Sequence, residues 1–318
     1  MLVWLLCGLG LVILLLAGDA LVKGAVNLSL RVGIPALIVS LTIVAFGTSA
    51  PELLIAISSV LENKPDIAMG NVVGSNTANI LLVLGLPAIL ATLHTSECNT
   101  RKTYIFMMMA SLLFVALAFT GSFGTWQALV LLGALALVLT DAFRDAHLHR
   151  KDAALAAVED AEEVEGADPN MPWWQIVVFF VLGLIGLPLG ADLLVDNASL
   201  IARDYGVSET VIGLTLVALG TSLPELATTT VAALRRQADV VLGSVIGSNM
   251  FNLLAIIGVA ALIGPIPVAP EFLRFDLWVM LGASVLLAPF VFWHWNITRG
   301  WGIGLTVAYF AYIGVVLL

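Results

Sequence analysis

The sequence predicts an all-α membrane protein whose ten transmembrane helices form two inverted halves of five helices each. Of its 318 residues, 60% are apolar and 11% are charged, and the mean hydropathy is +1.06. A soluble domain of this length cannot bury so much apolar surface. The apolar residues form continuous runs near the ~20 residues that a helix needs to cross a bilayer, whereas a transmembrane β-barrel shows short alternating segments.

Ten apolar runs follow one another along the chain, and each predicts one membrane-spanning helix. The runs are 2–18, 35–61, 67–90, 103–120, 125–142, 173–191, 208–234, 240–263, 273–293 and 301–318. The chain therefore divides into a first five-helix half (1–142), an acidic linker (143–172) and a second five-helix half (173–318). Much of the net charge of −9 lies in the linker. At about thirty residues the linker is short for a domain, so we interpret it as a solvated connection rather than a cation sensor.

The two halves contain the same repeat. An offset of 173 positions aligns residues 19–85 with 192–258 without a gap, and 25 of the 67 aligned positions are identical. The membrane-spanning parts of the two copies are about 35–90 and 208–263. Five crossings separate equivalent helices. Because this number is odd, the two copies run through the bilayer in opposite directions, as in many secondary transporters.

The basic residues predict the orientation of the chain in the membrane. If the N-terminus lies outside, ten of the 13 Lys and Arg residues fall in inner loops and three in outer loops. An excess of basic residues is typical of cytoplasmic loops. We therefore expect a protein of the cell membrane, inner or plasma, with both termini outside and the linker 143–172 in the cytoplasm.

Each repeat places a helix break and a carboxylate near the centre of an apolar run. The motif Gly-Thr-Ser-x-Pro-Glu occupies residues 47–52 and again residues 220–225. Its proline has no backbone N–H, so helices 2 and 7 are predicted to be broken at this point. The carbonyl four residues before each proline loses its helical donor. Polar backbone groups at membrane depth need another partner.

Further polar side chains accompany each break. Thr48 and Glu52 lie four residues apart and share one helix face, as do Ser75 and Asn79 in the next helix. The second half repeats this pattern with Thr221, Glu225, Ser248 and Asn252. No Lys or Arg lies at comparable depth, so the two glutamates imply bound cations or protons.

The predicted ligands are all oxygen atoms, from carboxylates, hydroxyls, amides and backbone carbonyls. Hard cations such as Ca²⁺ and Na⁺ prefer this set, and Ca²⁺ takes 6–8 such ligands. Softer metals prefer Cys or His, which are absent at this depth. The two carboxylates are enough to neutralise one Ca²⁺.

In each half the break is followed by the motif Gly-x-x-x-Gly-Ser-Asn-x-x-Asn, at residues 70–79 and 243–252. With these paired motifs the chain resembles the cation/calcium exchanger superfamily, and within it the prokaryotic sodium/calcium exchangers. The resemblance covers the full length. It implies ten helices in two inverted halves and one central cluster for which Ca²⁺ and Na⁺ compete. It also implies that the first and sixth helices slide across the core to alternate access.

The resemblance also implies a set of metal ligands. These are Thr48, Ser49, Glu52, Ser75 and Asn79 in the first half, Thr221, Ser222, Glu225, Ser248 and Asn252 in the second, and for Na⁺ the backbone carbonyls near Ala45 and Ala218. Asn252 departs from several relatives, including potassium-dependent exchangers, which have Asp at this position. The missing carboxylate argues against potassium dependence.

We therefore expect a secondary antiporter in which inward movement of Na⁺ drives Ca²⁺ outward through alternating access. A Ca²⁺/H⁺ exchanger that uses the same two glutamates is the alternative. A membrane-embedded hydrolase is less favoured, because it needs a basic or nucleophilic group beside the carboxylates. The chain lacks the phosphate-binding motif Gly-x-x-x-x-Gly-Lys-Ser/Thr, which argues against ATP. We expect no catalytic residues, no cofactor and no nucleic acid. The expected partners are the lipid bilayer and the transported ions, and a single chain should suffice.

Overall fold

The computed structural model of the protein describes residues 2–148, 168, 170–206 and 218–316. In the first half the helices are α1 (Leu2–Val32), α2 (Ala36–Val39), α3 (Ala45–Thr48), α4 (Ala50–Leu61), α5 (Pro65–Leu81), α6 (Gly85–Leu90), α7 (Arg101–Ala118) and α8 (Thr125–Leu148). In the second half they are α9 (Trp173–Asp204), α10 (Ala218–Gly220), α11 (Leu223–Leu234), α12 (Ala238–Met250), α13 (Ile257–Ile263), α14 (Leu277–Val285), α15 (Ala288–Phe292) and α16 (Arg299–Val316). The short strands β1 (Ser122–Phe123) and β2 (Ile266–Pro267) pair antiparallel and join the two halves.

The helices confirm the predicted class of an all-α membrane protein. Among the described residues, seven helices are long and apolar enough to cross a membrane, and the bent pair α2–α3 with α4 makes an eighth. Of the other two predicted spans, the one predicted at 301–318 corresponds to α16, which spans Arg299–Val316. The remaining one, 208–234, begins in residues 207–217, which lie outside the described part of the chain. The count of ten therefore stays a prediction.

Two predicted boundaries are wrong by more than ten residues. The first helix was expected at 2–18 but runs to Val32, and the sixth was expected at 173–191 but runs to Asp204. The prediction stopped each helix before its first acidic residue. Charged residues do continue the helices here, because they lie where they can form ion pairs or reach the surface. At about 1.5 Å per residue, the 31 and 32 residues exceed the ~30 Å hydrocarbon core, so both helices tilt across it or extend beyond it.

The linker boundary also moves. Helix α8 continues to Leu148, six residues into the predicted linker 143–172. Most of the acidic residues predicted for this linker fall within 149–167, which lie outside the described residues.

Helices α1 and α9 pack tightly against each other through small residues. A Cβ atom added to Gly10 would lie 2.6 Å from the backbone nitrogen of Leu194, and one added to Gly190 would lie 2.9 Å from that of Leu14. Glycine at these positions lets the two backbones approach closely, the usual way in which membrane helices associate. A larger side chain at either position would force the two longest helices apart.

The spans Pro65–Leu90 and Ala238–Ile263 form the centre of the protein. In their most apolar windows 83% and 78% of the residues are buried, whereas the Leu2–Val32 span has 39% buried. Lipid-facing helices keep apolar side chains exposed, while central helices bury most of theirs. The polar residues in the middle of these two spans, such as Asn76, Asn79, Asn249 and Asn252, therefore lie inside the protein rather than against lipid.

Equivalent helices have matching bounds in the two halves. Helix α4 spans Ala50–Leu61 and helix α11 spans Leu223–Leu234, 173 positions later at both ends. The central spans Pro65–Leu90 and Ala238–Ile263 also differ by 173 at both ends. The sequence repeat is thus accompanied by a repeat of the helices themselves.

An ion-pair cluster joins the long helix α1 to the end of α11. Asp19 accepts a hydrogen bond from the Nε–H of Arg235 at 2.7 Å, and an Nη2 nitrogen of the same guanidinium pairs with the same oxygen. The Nζ of Lys23 lies 3.1 Å from the other oxygen of Asp19. The side chains of Asp19 and Arg235 are 29% and 15% exposed, so water screens this pair only partly.

We expect Asp19→Asn and Arg235→Gln each to lower the midpoint of thermal unfolding, because each removes the partly buried ion pair between Asp19 and Arg235. Arg236→Gln, at the exposed neighbouring position, serves as the control and should leave the midpoint unchanged. In the double variant, the loss of unfolding free energy should be smaller than the sum of the losses in the two single variants. We expect the difference, which is the coupling free energy, to be about 1 kcal/mol. Additive losses would show that the pair contributes nothing to stability.

Candidate cation-binding site

Each half of the protein begins a helix with a buried glutamate in its first turn. Helices α4 and α11 each have proline at their first or second position, followed by Glu52 or Glu225. A proline fits there because the first backbone N–H groups of a helix have no internal partner. The positive end of the helix dipole also favours a carboxylate at this position.

The residue before each of these helices has nearly the same backbone conformation. Ser49 has φ −85° and ψ 6°, and Ser222 has φ −89° and ψ 0°. At Ser49 the axes of the preceding and following helices differ by 43°. The breaks predicted for helices 2 and 7 are therefore present, and each one aims its glutamate into the interior.

The two breaks meet in the centre of the protein. Glu52 and Glu225 are each 1% exposed. The hydroxyl of Ser49, at the break of the first half, donates a hydrogen bond of 3.4 Å to Oε1 of Glu225 in the second half. Neither glutamate takes part in the ion pairs found among the described residues. Residues from both halves thus build one acidic site.

The central spans carry the other predicted ligands. Ser75 and Asn79 on α5 are 5% and 1% exposed, Ser248 on α12 is fully buried, and Asn252 in the π-helical turn Phe251–Ile256 is 1% exposed. Ser222 is buried as well, at 3% exposure. Ala45 is buried, and its carbonyl oxygen accepts the Ser49 N–H at 3.0 Å and the Thr48 hydroxyl at 3.3 Å. For Ala218, in α10, only the backbone is described.

Six buried oxygen atoms of the predicted ligands make no hydrogen bond to any described residue. They are Oε2 of Glu52, Oε2 of Glu225, Oδ1 of Asn79, Oδ1 of Asn252, Oγ1 of Thr221 and Oγ of Ser248. A buried polar atom without a partner costs about 1–3 kcal/mol, and more if it is charged. Such atoms are uncommon in native structures. The presence of six such oxygen atoms in one predicted ligand set is consistent with a binding site for a hard cation.

The site does not depend on a cluster of acidic, His or Cys side chains. Within the described ranges, no group of three or more such residues could hold a metal ion. The residues predicted as ligands contribute two carboxylates and several neutral oxygens instead.

Sequence reasoning missed three residues that support the ligands. Asn249 accepts a hydrogen bond from Nδ2 of Asn79 at 3.0 Å. Asn76 and Asn249 also bond each other's backbone carbonyls, at 3.1 and 3.4 Å. Thr229 donates to the backbone carbonyls of Glu225 and Val83. The identity of Asn76 and Asn249 in the repeat was the available signal, since both are polar and lie deep in an apolar span.

Comparison with known proteins gives a consistent result. The family model described as "Sodium/calcium exchanger protein" matches residues 2–143 and 175–318. A putative antiporter, CaxA, from Alkalimonas amylolytica is 36% identical over 87% of this chain and 86% of its own length. The sodium/calcium exchanger MaX1 from Methanosarcina acetivorans is 31% identical over 96% of both chains.

Solved structures match over nearly the whole chain. One structure of the sodium-calcium exchanger NCX_Mj superposes with a TM-score of 0.82 at 30% identity and covers 99% of this chain and 98% of that one. The fold described above is therefore shared with a sodium-calcium exchanger of known structure.

We expect Ca²⁺ to raise the midpoint of thermal unfolding of the purified protein and the variants Glu52→Gln and Glu225→Gln to lose this effect. A ligand that binds only the native state stabilises it by about 2.7 kcal/mol at a hundredfold excess over Kd. Without divalent ions, both variants should be as stable as the wild type or more so, because glutamine removes a buried negative charge.

Glu62→Gln is the matched control, because Glu62 follows the same helix α4 but is exposed. It should keep the full stabilisation by Ca²⁺. If the variants of the two buried glutamates also keep it, the site described here does not bind Ca²⁺.

Proposed function

Because the chain belongs to the sodium/calcium exchanger family of membrane antiporters, we propose that it exchanges Na⁺ for Ca²⁺ at the site between Glu52 and Glu225. The protein is a transporter rather than an enzyme, and the two ions are its substrates. Inward movement of Na⁺ down its gradient drives Ca²⁺ out of the cell. No ATP is required.

The six unpartnered oxygens are the observation that carries this proposal. They come from both halves, they are neutral except for the two carboxylates, and their number is within the 6–8 oxygen ligands that Ca²⁺ takes. The two carboxylates match the charge of one Ca²⁺. Of the proposed ligands, Thr48, Ser49, Ser75 and Ser222 supply further hydroxyls that are buried in the same region.

Coupling follows from the need to neutralise the two glutamates. A pair of buried carboxylates without a basic partner is costly inside a membrane, so the site stays occupied by cations during each transition. Ca²⁺ and Na⁺ both need Glu52 and Glu225 and cannot hold them together. Release of one ion therefore accompanies binding of the other, which is the requirement for antiport.

The proposed Na⁺ ligand at Ala45 has a structural consequence. Its carbonyl oxygen already accepts the Ser49 N–H and the Thr48 hydroxyl. A carbonyl oxygen has two lone pairs. Binding of Na⁺ there would require the Thr48 hydroxyl to rotate, which would turn its own oxygen toward the ion. The carbonyl of Ala218 would play the equivalent part in the second half.

Alternating access is proposed to arise from ten helices in two inverted halves, 1–142 and 173–318, with both termini outside and the linker 143–172 in the cytoplasm. The matching bounds of α4 and α11 support equivalent halves. In inverted repeats, each half can adopt the conformation of the other, which exposes one site to either side in turn. Helices α1 and α9 form the packed pair that would slide over the central helices.

The direct test is uptake of labelled Ca²⁺ into proteoliposomes loaded with Na⁺. We expect uptake when Na⁺ is higher inside than outside, and loss of at least about 99% of the rate in Glu52→Gln and Glu225→Gln. Such a loss corresponds to about 2.7 kcal/mol or more. Glu62→Gln should transport normally. Addition of K⁺ should leave the rate unchanged, because Asn252 supplies no third carboxylate.

Two results would contradict the proposal. Uptake that ignores the Na⁺ gradient but follows a pH gradient would identify a Ca²⁺/H⁺ exchanger that uses the same glutamates as proton carriers. Normal exchange in either glutamate variant would show that the transported ions do not depend on this site.

A further inference from the structure

Two asparagines at equivalent positions of the repeat contact each other in the centre of the protein. Asn76 and Asn249 lie 173 positions apart, and each is 1% exposed. The Nδ2 of Asn76 donates to the backbone carbonyl oxygen of Asn249 at 3.1 Å. The Nδ2 of Asn249 donates to the backbone carbonyl oxygen of Asn76 at 3.4 Å. Equivalent residues that bond each other reciprocally lie on the axis that relates the two halves.

One of the two asparagines also holds a proposed ligand. Oδ1 of Asn249 accepts a hydrogen bond of 3.0 Å from Nδ2 of Asn79. The nitrogen and oxygen of an amide lie on opposite sides of the same carbon, so fixing Nδ2 also fixes the direction of Oδ1. The Oδ1 of Asn79 is buried and has no hydrogen-bond partner among the described residues. Asn249 therefore orients the oxygen of Asn79 that is available to a cation.

The equivalent bond in the other half is not formed. By the repeat, Nδ2 of Asn252 would donate to Oδ1 of Asn76. Instead, Oδ1 of Asn76 and Oδ1 of Asn252 are both buried without a partner in the described part of the chain. The hydrogen bonds from Asn76 and Asn249 to each other's backbone carbonyls are thus symmetric. The hydrogen bonds to the proposed ligands Asn79 and Asn252 are not.

The helices differ at the same place. Helix α5 is regular from Pro65 to Leu81 and contains both Asn76 and Asn79. In the second half, α12 ends at Met250 and the π-helical turn Phe251–Ile256 contains Asn252. A π-helical turn widens the helix and rotates the side chains that follow, and such turns are frequent at functional sites. The change of helix geometry therefore falls at Asn252, which makes no hydrogen bond to Asn76 among the residues that the structure describes, and not at Asn79, which bonds Asn249.

We propose that Asn249 and Asn76 are positioning residues that work alternately, one in each access state. In the conformation described here Asn249 orients Asn79. In the conformation that faces the opposite side, Asn76 orients Asn252 and the bond between Asn249 and Asn79 is broken. This inference rests on the proposed exchange function, since it requires two states related by the repeat. Neither asparagine needs to touch the ion.

The matched variants Asn249→Leu and Asn76→Leu separate this role from simple packing. Each removes one of the two reciprocal bonds to a backbone carbonyl. Only Asn249→Leu removes a contact to a ligand in the conformation described here. The measurement is the KM for Ca²⁺ in Na⁺-driven exchange by the full-length protein, taken separately from each face in vesicles of known orientation.

We expect Asn249→Leu to raise the KM for Ca²⁺ about tenfold at one face, with a change of less than about twofold at the other. Asn76→Leu should show the opposite pattern. A tenfold change corresponds to about 1.4 kcal/mol. Equal increases at both faces for both variants would overturn the proposal, because a purely structural role has no reason to distinguish the faces.

Asn249→Ser and Asn76→Ser form a second pair in case leucine prevents folding. A serine hydroxyl can bond the carbonyl of its own preceding helical turn but cannot reach Asn79 or Asn252. The same reciprocal pattern is expected, and unchanged KM values in both serine variants would also reject the proposal. Absence of Na⁺-driven exchange in the wild type would instead reject the proposed function itself.

Discussion

Two buried carboxylates that share one site without a basic partner determine the organisation of this protein. Glu52 and Glu225 lie on central breaks of an apolar helical protein, where isolated negative charge is costly. Each glutamate lies in the first turn of its helix, and the Ser49 hydroxyl donates a hydrogen bond to Glu225. In the proposed site, neutral oxygens from the central spans complete a set of ligands for a hard cation. Glycines at the contact of α1 and α9 allow these two helices to pack closely, and the asparagines Asn76 and Asn249 that bond each other are buried.

The two proline breaks explain how a continuous apolar helix can present such a site. A regular helix uses its backbone groups internally and leaves little for an ion. Pro51 and Pro224 start new helices inside the span, and the serine before each one takes the same bent conformation. The carboxylate then lies in the first turn, at the positive end of the helix. One short motif therefore provides the bend, the charge and the local field together.

The sequence predicted the class of fold and both helix breaks, because their signals are local, above all a proline inside an apolar run. It also predicted ligands from oxygen-bearing side chains four residues apart, and the structure buries Glu52, Glu225, Asn79 and Asn252. The extent of α1 was underestimated at Asp19, whose partners are Lys23 in the same helix and Arg235, more than two hundred residues away in sequence. No local pattern reveals the pairing with Arg235. The same holds for Asn76 and Asn249. Their identity in the repeat was visible, but their contact across the axis depends on how the halves assemble. The asymmetry between Asn79 and Asn252 depends on a π-helical turn at Phe251–Ile256, which nearly identical motifs do not encode.

The most direct test of this account is the binding of Ca²⁺ to the purified protein, measured by titration calorimetry at increasing Na⁺, with choline holding the ionic strength constant. If both ions use the same two carboxylates, Na⁺ will raise the apparent Kd for Ca²⁺ steadily while the stoichiometry stays at one Ca²⁺ per chain. A Kd that does not change with Na⁺ would contradict the account, because Ca²⁺ and Na⁺ would then bind independently and the central site could not couple their movements.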